Sequence, residues 1–561
     1  MPKVPPTSCR LFPERTERIV VLLLVAAALV IRLVLLDSVD VIETDGSYYG
    51  NIAGAVQRGE YRQLFNPAWP PLYPAVTGVV ARVTGDLERA GGLVSVFCGA
   101  LVVGLVYLLG RAVGGGNVGL LGALFTAFHP RLILYSELYL TESLYVLLFI
   151  AVLCLVSMAL RRGNIVYLFC TGTALALLYL TRPEGMVTGA AVMLFLCMPF
   201  GWRRLTWRSL RAVLLLPLGA AILVVPFSAG LKMQTGYLAL TEKGRYNFFV
   251  THRHEYRRAG IDVRTGWMNR IPPTPPASGN GVGEYADGPN GDPKRQGHQT
   301  DYSIRELMRM RWPAVLKHFC RTFLVNLLDK LPGAHYHLLF ILAVLGLALP
   351  RRRAGEEWLW VMVIISTLCA LSFYFPLRRF FIGLLPLLNI WAAFCITGLL
   401  MRLFGHPPGE TGEDRLSPGA GRRRALIALL ILVPVLATWY SAVSIRSREY
   451  PVEYRRAGIW LRDSYAGRIV IASRKPEISF YAGGEFVPLP HMDPDTVGMW
   501  MDREGVTHLF LDEYLIPRTH PEFVPLLEER MVPPSLVVVY RDGPAGRRAV
   551  ILARRPQPEV R

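Results

Sequence analysis

Residues 19–49 read IVVLLLVAAALVIRLVLLDSVDVIETDGSYY, which is an apolar run at 19–36 followed at once by a polar loop. A helix needs about 20 apolar residues to cross a bilayer. The run is interrupted only by Arg32 and shows no small-residue cleavage pattern, so we interpret it as a retained anchor and not as a signal peptide. This stretch therefore predicts a membrane protein with acidic and aromatic residues directly at the membrane surface.

Ten further apolar runs of similar length follow along the chain. They lie at 90–110, 117–135, 141–160, 164–180, 186–200, 212–230, 335–350, 358–375, 380–401 and 425–444. The composition agrees, because 52% of the residues are hydrophobic and only 18% are charged, against about 25% in soluble domains. We predict a polytopic α-helical membrane protein of eleven spans, which excludes an ordinary soluble enzyme and a disordered chain.

The net charge of +19 is distributed unevenly between the connecting segments. One alternating set, at 1–18, 111–116, 161–163, 201–211, 351–357 and 402–424, holds 19 Lys and Arg residues and seven acids. Basic residues collect in cytoplasmic loops, so we predict a cytoplasmic N-terminus and a location in the inner (plasma) membrane. The basic residues flank spans in short runs, which argues against a nucleic-acid partner and makes membrane lipids the expected partner of these segments.

The large polar segments all fall on the predicted outer side. They are the loops 37–89 and 231–334 and the segment 445–561. In the last of these, predicted strands at 468–473, 507–512, 535–541 and 548–554 alternate with polar helical stretches. We therefore predict two domains, a membrane module at 1–444 and a soluble extracytoplasmic α/β domain at 445–561.

Two acidic residues on the outer side are candidate catalytic groups. Asp45 follows the first span, where a carboxylate could accept a proton from a hydroxyl group, although Asp is also a favoured helix N-cap. Glu142 enters an apolar run, and an ionisable group at a membrane span indicates a functional site by default. Its structural alternative is a place in the first helical turn after an N-cap at Thr141.

Basic residues on the outer side run against the charge trend. Arg182 lies in the short turn LTRPEG, and its planar fork suits phosphate oxygens, or it pairs with Glu184 on the surface. Arg378 and Arg379 stand in the turn FPLRRFF, and Lys330 precedes another span. These four basic residues are the candidate phosphate ligands.

The remaining candidates are pocket residues in the first outer loop. The stretch NPAWPPLYP at 66–74 predicts a stiff turn that forms a pocket wall or a simple loop. The pocket candidates are Glu43, Tyr48, Pro71 and Tyr73. No His, Cys or acidic cluster has ligand spacing, so we predict no metal site, while a divalent metal stays open.

These motifs in this order resemble integral-membrane GT-C glycosyltransferases, including the protein O-mannosyltransferases of glycosyltransferase family 39 and the lipid A aminoarabinose transferase. The order is an Asp in the first outer loop, PPLYP, an acid opening the fourth span, TRPEG and a late Arg-rich turn. The segment RIVIASRKPEISFYAGGEFVPLP at 468–490 also resembles the soluble domain of bacterial members.

The resemblance implies a sugar donor carried on a polyprenyl phosphate, transfer on the extracytoplasmic face and usually inversion. Asp45 would be the general base and Arg182 a phosphate ligand, with Arg378 as a second. The family often has Asp-Glu where this chain has Asp45-Gly46, so either Glu43 or Glu142 would supply the second carboxylate. The acceptor would be a protein, a lipid or a glycan.

Two other classes of function compete with this one. A secondary transporter would have a similar number of spans, but it would place its polar groups at mid-bilayer and often show internal repeats. A non-catalytic envelope scaffold would use the outer domain to bind a partner. Neither alternative explains why the unusual charges gather on one side.

Overall fold

A computed structural model describes most of the chain. The described residues are 13–198, 207–236, 240, 241, 243–259, 293–349, 355–404, 451–544 and 546–555, with scattered residues between 428 and 443. The eleventh predicted span, at 425–444, therefore lies almost entirely outside the described residues, as does the Pro/Gly-rich part of the loop 231–334.

The membrane module is helical throughout its described part. Its helices are α1 (Glu14–Leu35), α2 (Thr44–Arg58), α3 (Leu72–Thr84), α4 (Leu87–Gly114), α5 (Gly116–Ala127), α6 (Pro130–Glu137), α7 (Glu142–Arg162), α8 (Ile165–Thr181), α9 (Gly185–Cys197), α10 (Trp207–Thr235), α11 (Lys243–Arg258), α12 (Pro293–Val325), α13 (Leu331–His335), α14 (His337–Ala348), α15 (Gly355–Leu371) and α16 (Leu385–Phe404). A π-helical turn, Asn326–Lys330, joins α12 to α13, and a 3₁₀ segment, Arg378–Leu384, precedes α16.

The predicted spans correspond to helices, but eleven is not confirmed as their number. Five described helices are long and apolar enough to cross a membrane, or seven if two bent pairs each count as one span. The bent pairs are α5 with α6, at 51°, and the helix ending at His335 with α14, at 108°. Helices α8 and α9 are apolar but shorter. The fold is that of a multi-pass membrane protein.

The polar loop after α1 folds back onto the ends of the membrane helices. Its helices α2 and α3 share a small core with α4, built around Tyr49, Trp69, Tyr73 and Tyr139. The Tyr73 hydroxyl donates to the Gly91 carbonyl at 3.0 Å, which satisfies a buried polar group. This core therefore fixes the position of the first turn of α2 relative to the membrane helices.

The C-terminal segment forms a small α/β domain around a five-stranded sheet. Its strands are β1 (Val470–Ser473), β2 (Glu485–Pro488), β3 (His508–Asp512), β4 (Leu536–Asp542) and β5 (Ala549–Arg554), and its helices are α17 (Val452–Ser464), α18 (Glu477–Ala482), α19 (Val497–Glu504), α20 (Ile516–Thr519) and α21 (Val524–Leu527). The strand order is β2-β1-β3-β5-β4, in which β5 runs antiparallel to β3 and β4. All four predicted strands are present, whereas the sequence analysis missed the short edge strand β2.

Helices α17 and α18 attach this domain to the loop that bears Asp45. The Thr44 hydroxyl donates to Glu477 Oε1 at 2.7 Å, and the Ile42 amide donates to the Tyr481 hydroxyl at 2.8 Å. A side chain at Gly50 would place its Cβ 2.4 Å from the Phe480 ring, so only glycine allows this approach. The α/β domain therefore covers the first turn of α2.

Candidate active site

Asp45 lies in the first turn of α2, on the predicted outer side. The helix N-cap is Glu43, so the interpretation of Asp45 as the N-cap is wrong. The Asp45 carboxylate instead accepts a hydrogen bond from Arg379, at the start of the 3₁₀ segment before α16. Two residues 334 positions apart in the sequence thus form a direct ion pair.

Glu142 and Arg182 form the second pair of the site. Glu142 occupies the first turn of α7 after the N-cap Thr141, as the structural alternative predicted. Arg182, which follows α8, binds Glu142 Oε1 through Nη1 at 2.7 Å and Glu184 Oε1 through Nη2 at 3.1 Å. The Arg182–Glu184 pair is therefore present, but the prediction that it lies on the surface is wrong, because the Arg182 side chain is only 9% exposed and also binds Glu142.

Arg379 joins the two pairs. Its Nε lies 3.6 Å from Glu142 Oε1, while its Nη2 binds Asp45. We call these five side chains the ion network. Its members are Asp45, Glu142, Arg182, Glu184 and Arg379.

The network has an open side and a closed side. The side chains of Asp45 and Arg379 are 24% and 30% exposed, whereas those of Arg182 and Glu142 are 9% and 1% exposed. The Arg182 guanidinium also packs over the rings of Tyr145 and Phe380. A substrate would therefore meet Asp45 and Arg379 first, with Arg182 and Glu142 beneath them.

Lys243 is a site residue that the sequence analysis missed. It begins α11, and its Nζ lies 4.1 Å from the centre of the Trp69 ring. Burial raises the pKa of Asp45, but the positive charges of Lys243, Arg379 and Arg182 outweigh it and hold that pKa below its usual value. Lys243 is also a basic residue of the predicted outer side, but loop 231–334 contains several others and nothing in the sequence distinguished it.

Arg378 and Lys330 gather elsewhere. Arg378 Nη2 binds Asp329 Oδ1 at 3.2 Å, and Lys330 Nζ binds Asp329 Oδ2 at 2.6 Å. The side chains of Arg378 and Asp329 are 44% and 46% exposed. These two candidate phosphate ligands thus form a partly exposed cluster around Asp329, apart from the ion network.

The four pocket candidates have different surroundings. Tyr48 stacks on Trp69 with ring centres 4.7 Å apart, so it contacts the same ring that Lys243 approaches. Pro71 is the buried N-cap of α3, and Tyr73 is fully buried in the core described above. Glu43 lines a separate cavity with Asp40, Glu88, Glu137 and other residues.

This arrangement suits the binding of an anion next to a carboxylate. An incoming phosphate can exchange with Asp45 for the Arg379 guanidinium, since both are oxygen acceptors of a charge-assisted hydrogen bond. Within the described residues, no group of three or more His, Cys, Asp or Glu side chains could hold a metal ion.

A family model and several solved structures resemble this chain. The model for dolichyl-phosphate-mannose-protein mannosyltransferase matches residues 68–229. No curated protein matches the chain. The structural matches extend much further along the sequence than the family model does.

Three solved structures illustrate the likeness. ArnT from Cupriavidus metallidurans bound to undecaprenyl phosphate is 16% identical, with a TM-score of 0.59 over 96% of this chain and 99% of that one. The apo oligosaccharyltransferase of Archaeoglobus fulgidus is 12% identical, with a TM-score of 0.57 over 90% of this chain and 70% of that one. The same archaeal enzyme, AglB, with an inhibitory peptide and a dolichol-phosphate, is 14% identical, with a TM-score of 0.54 over 94% and 74% of the two chains.

The TM-scores and coverage establish the fold, whereas identities of 12–16% assign no role to individual residues. The matched structures are all membrane glycosyltransferases, and the family-model match falls on α3 to α10 and the loop before α3. The chain therefore has the GT-C membrane glycosyltransferase fold, and the resemblance predicted from its motifs is confirmed.

Proposed function

We propose that this protein is a glycosyltransferase that moves a sugar from a polyprenyl-phosphate donor to an acceptor hydroxyl on the extracytoplasmic face of the inner membrane. The observation that carries the proposal is the ion network, which places an accessible carboxylate against an accessible guanidinium where several membrane helices end. The undecaprenyl phosphate in the ArnT match and the dolichol-phosphate in the AglB match support a lipid-phosphate donor.

In this proposal Arg379 is the first phosphate ligand, because it is the more exposed of the two arginines in the network. Arg182 lies beneath it, already bound to Glu142 and Glu184. Its positive charge stabilises the negative charge of the leaving phosphate, and this attraction is stronger because the surroundings of Arg182 are poorly solvated.

Asp45 is the proposed general base. The arriving phosphate takes over Arg379, so Asp45 loses a cation and gains a neighbouring negative charge, and both changes raise its pKa. It then accepts the proton of the acceptor hydroxyl, whose oxygen forms the new bond to the anomeric carbon. The bond from that carbon to the phosphate oxygen breaks, polyprenyl phosphate leaves with the electron pair, and the configuration inverts.

Glu142 has a positioning role in this scheme. Its side chain is 1% exposed and contacts both Arg182 and Arg379, so it is placed to fix the two guanidinium groups and not to meet the acceptor. The second carboxylate that the family resemblance implies would thus act through the arginines.

The test is incubation of the purified protein with a panel of polyprenyl-phosphate sugars and envelope extracts, followed by mass spectrometry of the acceptors. Sugar transfer that depends on the lipid phosphate is the expected result. Substrate uptake by proteoliposomes without any transfer would favour the transporter, and full cellular function of Asp45 and Arg182 variants would favour the scaffold.

Arg379 and its neighbour Arg378 offer a matched comparison. We expect Arg379→Gln to lower kcat/KM about 10- to 100-fold, because a hydrogen bond to a charged group contributes about 1.5–3 kcal/mol. Arg378→Gln removes the same charge one residue away, from the cluster around Asp329, and should change kcat/KM by less than about threefold. Equal losses for the two variants would show that Arg379 has no special place in donor binding.

Lys243 offers a test based on the pH profile. Its positive charge lowers the pKa of Asp45, so Lys243→Met should raise that pKa and move the acid limb of kcat/KM to higher pH. The sign follows because the charged carboxylate loses a stabilising cation. Arg245→Met, a change two residues along α11, is the control, and an unmoved acid limb in Lys243→Met would contradict the assignment.

A further inference from the structure

Helix α12 has an outward side that the proposed reaction does not use. Its inward side packs on α11, where Leu307 and Val315 contact a small core that includes Tyr256. Arg311 Nη2 also holds Glu255 Oε2 of α11 at 2.7 Å. These contacts determine which side of α12 faces the protein and which side faces its surroundings.

Helix α12 is kinked at Arg311 (φ −128°, ψ 21°), two residues before Pro313. Exposed residues recur at four-residue spacing on both sides of the kink, and this spacing makes successive members of a series neighbours on the helix surface. The apolar row continues into the π-helical turn and consists of Met308, Trp312, Leu316, Leu324 and Leu328. The basic row starts three residues earlier and consists of Arg305, Arg309, Lys317 and Arg321, all exposed. Arg305, Arg309 and Arg321 each lie three positions before a member of the apolar row, so basic and apolar residues are neighbours on both sides of the kink.

The basic row lacks an acidic partner among the described residues. None of its four residues forms an ion pair with an acid in the part of the chain that the structure describes. Glu306 is the single acidic residue in the sequence from 304 to 328. Four positive charges thus stand beside an exposed apolar row.

The direction of the helix that contains these rows is given by its angle to α14. Helix α14 packs along α16, which belongs to the apolar stretch Arg378–Leu400 that is long enough to span a membrane. The helix that ends at His335 is bent by 108° from α14, so it runs across the direction of the spans. A helix of this composition in this orientation lies in the interface, with its apolar side toward the acyl chains.

We propose that the outward side of α12 is a binding surface for the phosphate groups of anionic phospholipids in the adjoining leaflet. The apolar row enters the acyl boundary, and the basic row lies at the level of the phosphates. Charge complementarity supports this occupant, and a second copy of the chain would bring a like-charged row against this one. A free phosphate has no apolar part that could contact the apolar row.

The proposal is tested with the full chain purified in a zwitterionic detergent. The protein is incubated with equal amounts of phosphatidylglycerol and phosphatidylcholine, separated by gel filtration and analysed for retained lipid by mass spectrometry. We expect enrichment of phosphatidylglycerol. One basic side chain near an anionic surface contributes about fivefold to binding, so the variant R305Q/R309Q/K317Q/R321Q should reduce this enrichment at least about tenfold.

A matched control removes four positive charges from the α/β domain, in the variant R462Q/R503Q/R518Q/R530Q, and should keep the enrichment. The variant R305K/R309K/R321K preserves the charge and should also keep it. If the fourfold α12 variant does not fold, R309Q alone should lower the enrichment about fivefold.

Three results would overturn the proposal. They are equal retention of the two lipids by the parental protein, unchanged enrichment in the folded α12 variants, and an equal loss in the control. A dimer in phosphatidylcholine alone that Trp312→Ala dissociates would show that a second copy covers this surface instead.

Discussion

Replacing Asp45 with Asn is expected to lower kcat by about 10²–10⁴-fold, which is the usual contribution of a positioned general base. The substitution keeps the size of the side chain and an oxygen that can still accept a hydrogen bond from Arg379. It removes the negative charge, and with it the ability to accept a proton from the acceptor. The measurement is the initial rate of sugar transfer at saturating donor and acceptor, once the donor panel has identified them.

The control for this prediction is Glu60→Gln, which removes an acidic charge from the same outer loop. Glu60 pairs only with the exposed Arg58 among the described residues, so its loss should leave kcat unchanged. Donor binding should persist in Asp45→Asn, because Arg379 and Arg182 remain in place. A variant that transfers sugar at the parental rate would remove Asp45 from the mechanism, and one that no longer binds donor would point to a collapsed site.

The membrane architecture could be predicted from the sequence, because a helix that crosses a bilayer needs about 20 apolar residues and such a run is visible in the sequence itself. Breaks within helices were not accessible. The run at 117–135 contains two helices meeting at 51°, and the predicted span at 335–350 begins at a bend of 108°. Strand β2 was missed for a related reason, because EFVP is short and ends in a proline that weakens any strand prediction.

The sequence predicted which residues belong to the candidate site, but not which of them contact one another. Asp45, Glu142, Arg182 and Arg379 do come together, and each was selected as an ionisable residue at the predicted outer end of an apolar run. The difference between Arg378 and Arg379 could not be foreseen, because it depends on which way two adjacent side chains leave a 3₁₀ segment. The position of Lys243 near Trp69 depends on how α11 packs, and no local sequence pattern predicts that packing.

The second large effect expected is a loss of stability on removal of Arg182. The guanidinium is buried against Glu142 and Glu184, so Arg182→Met leaves the 1% exposed Glu142 beside a single remaining cation, Arg379. Breaking a buried pair by removing one partner costs about 3–5 kcal/mol, because an uncompensated charge stays in a poorly solvated place. The free energy of unfolding in mixed micelles measures this cost.

Two further variants separate charge from packing in this prediction. Arg378→Met removes an arginine from an exposed pair and should cost less than about 1 kcal/mol. The double variant Arg182→Met/Glu142→Leu removes the buried pair as a whole and should recover part of the stability lost in Arg182→Met, although not the transfer activity. If the free energies of unfolding lost in Arg182→Met and in Glu142→Leu add up to the loss in the double variant, then Glu142 and Arg182 are not energetically coupled. Recovery of stability without recovery of activity would instead show that this charged pair is kept for binding the donor, since the fold can do without it.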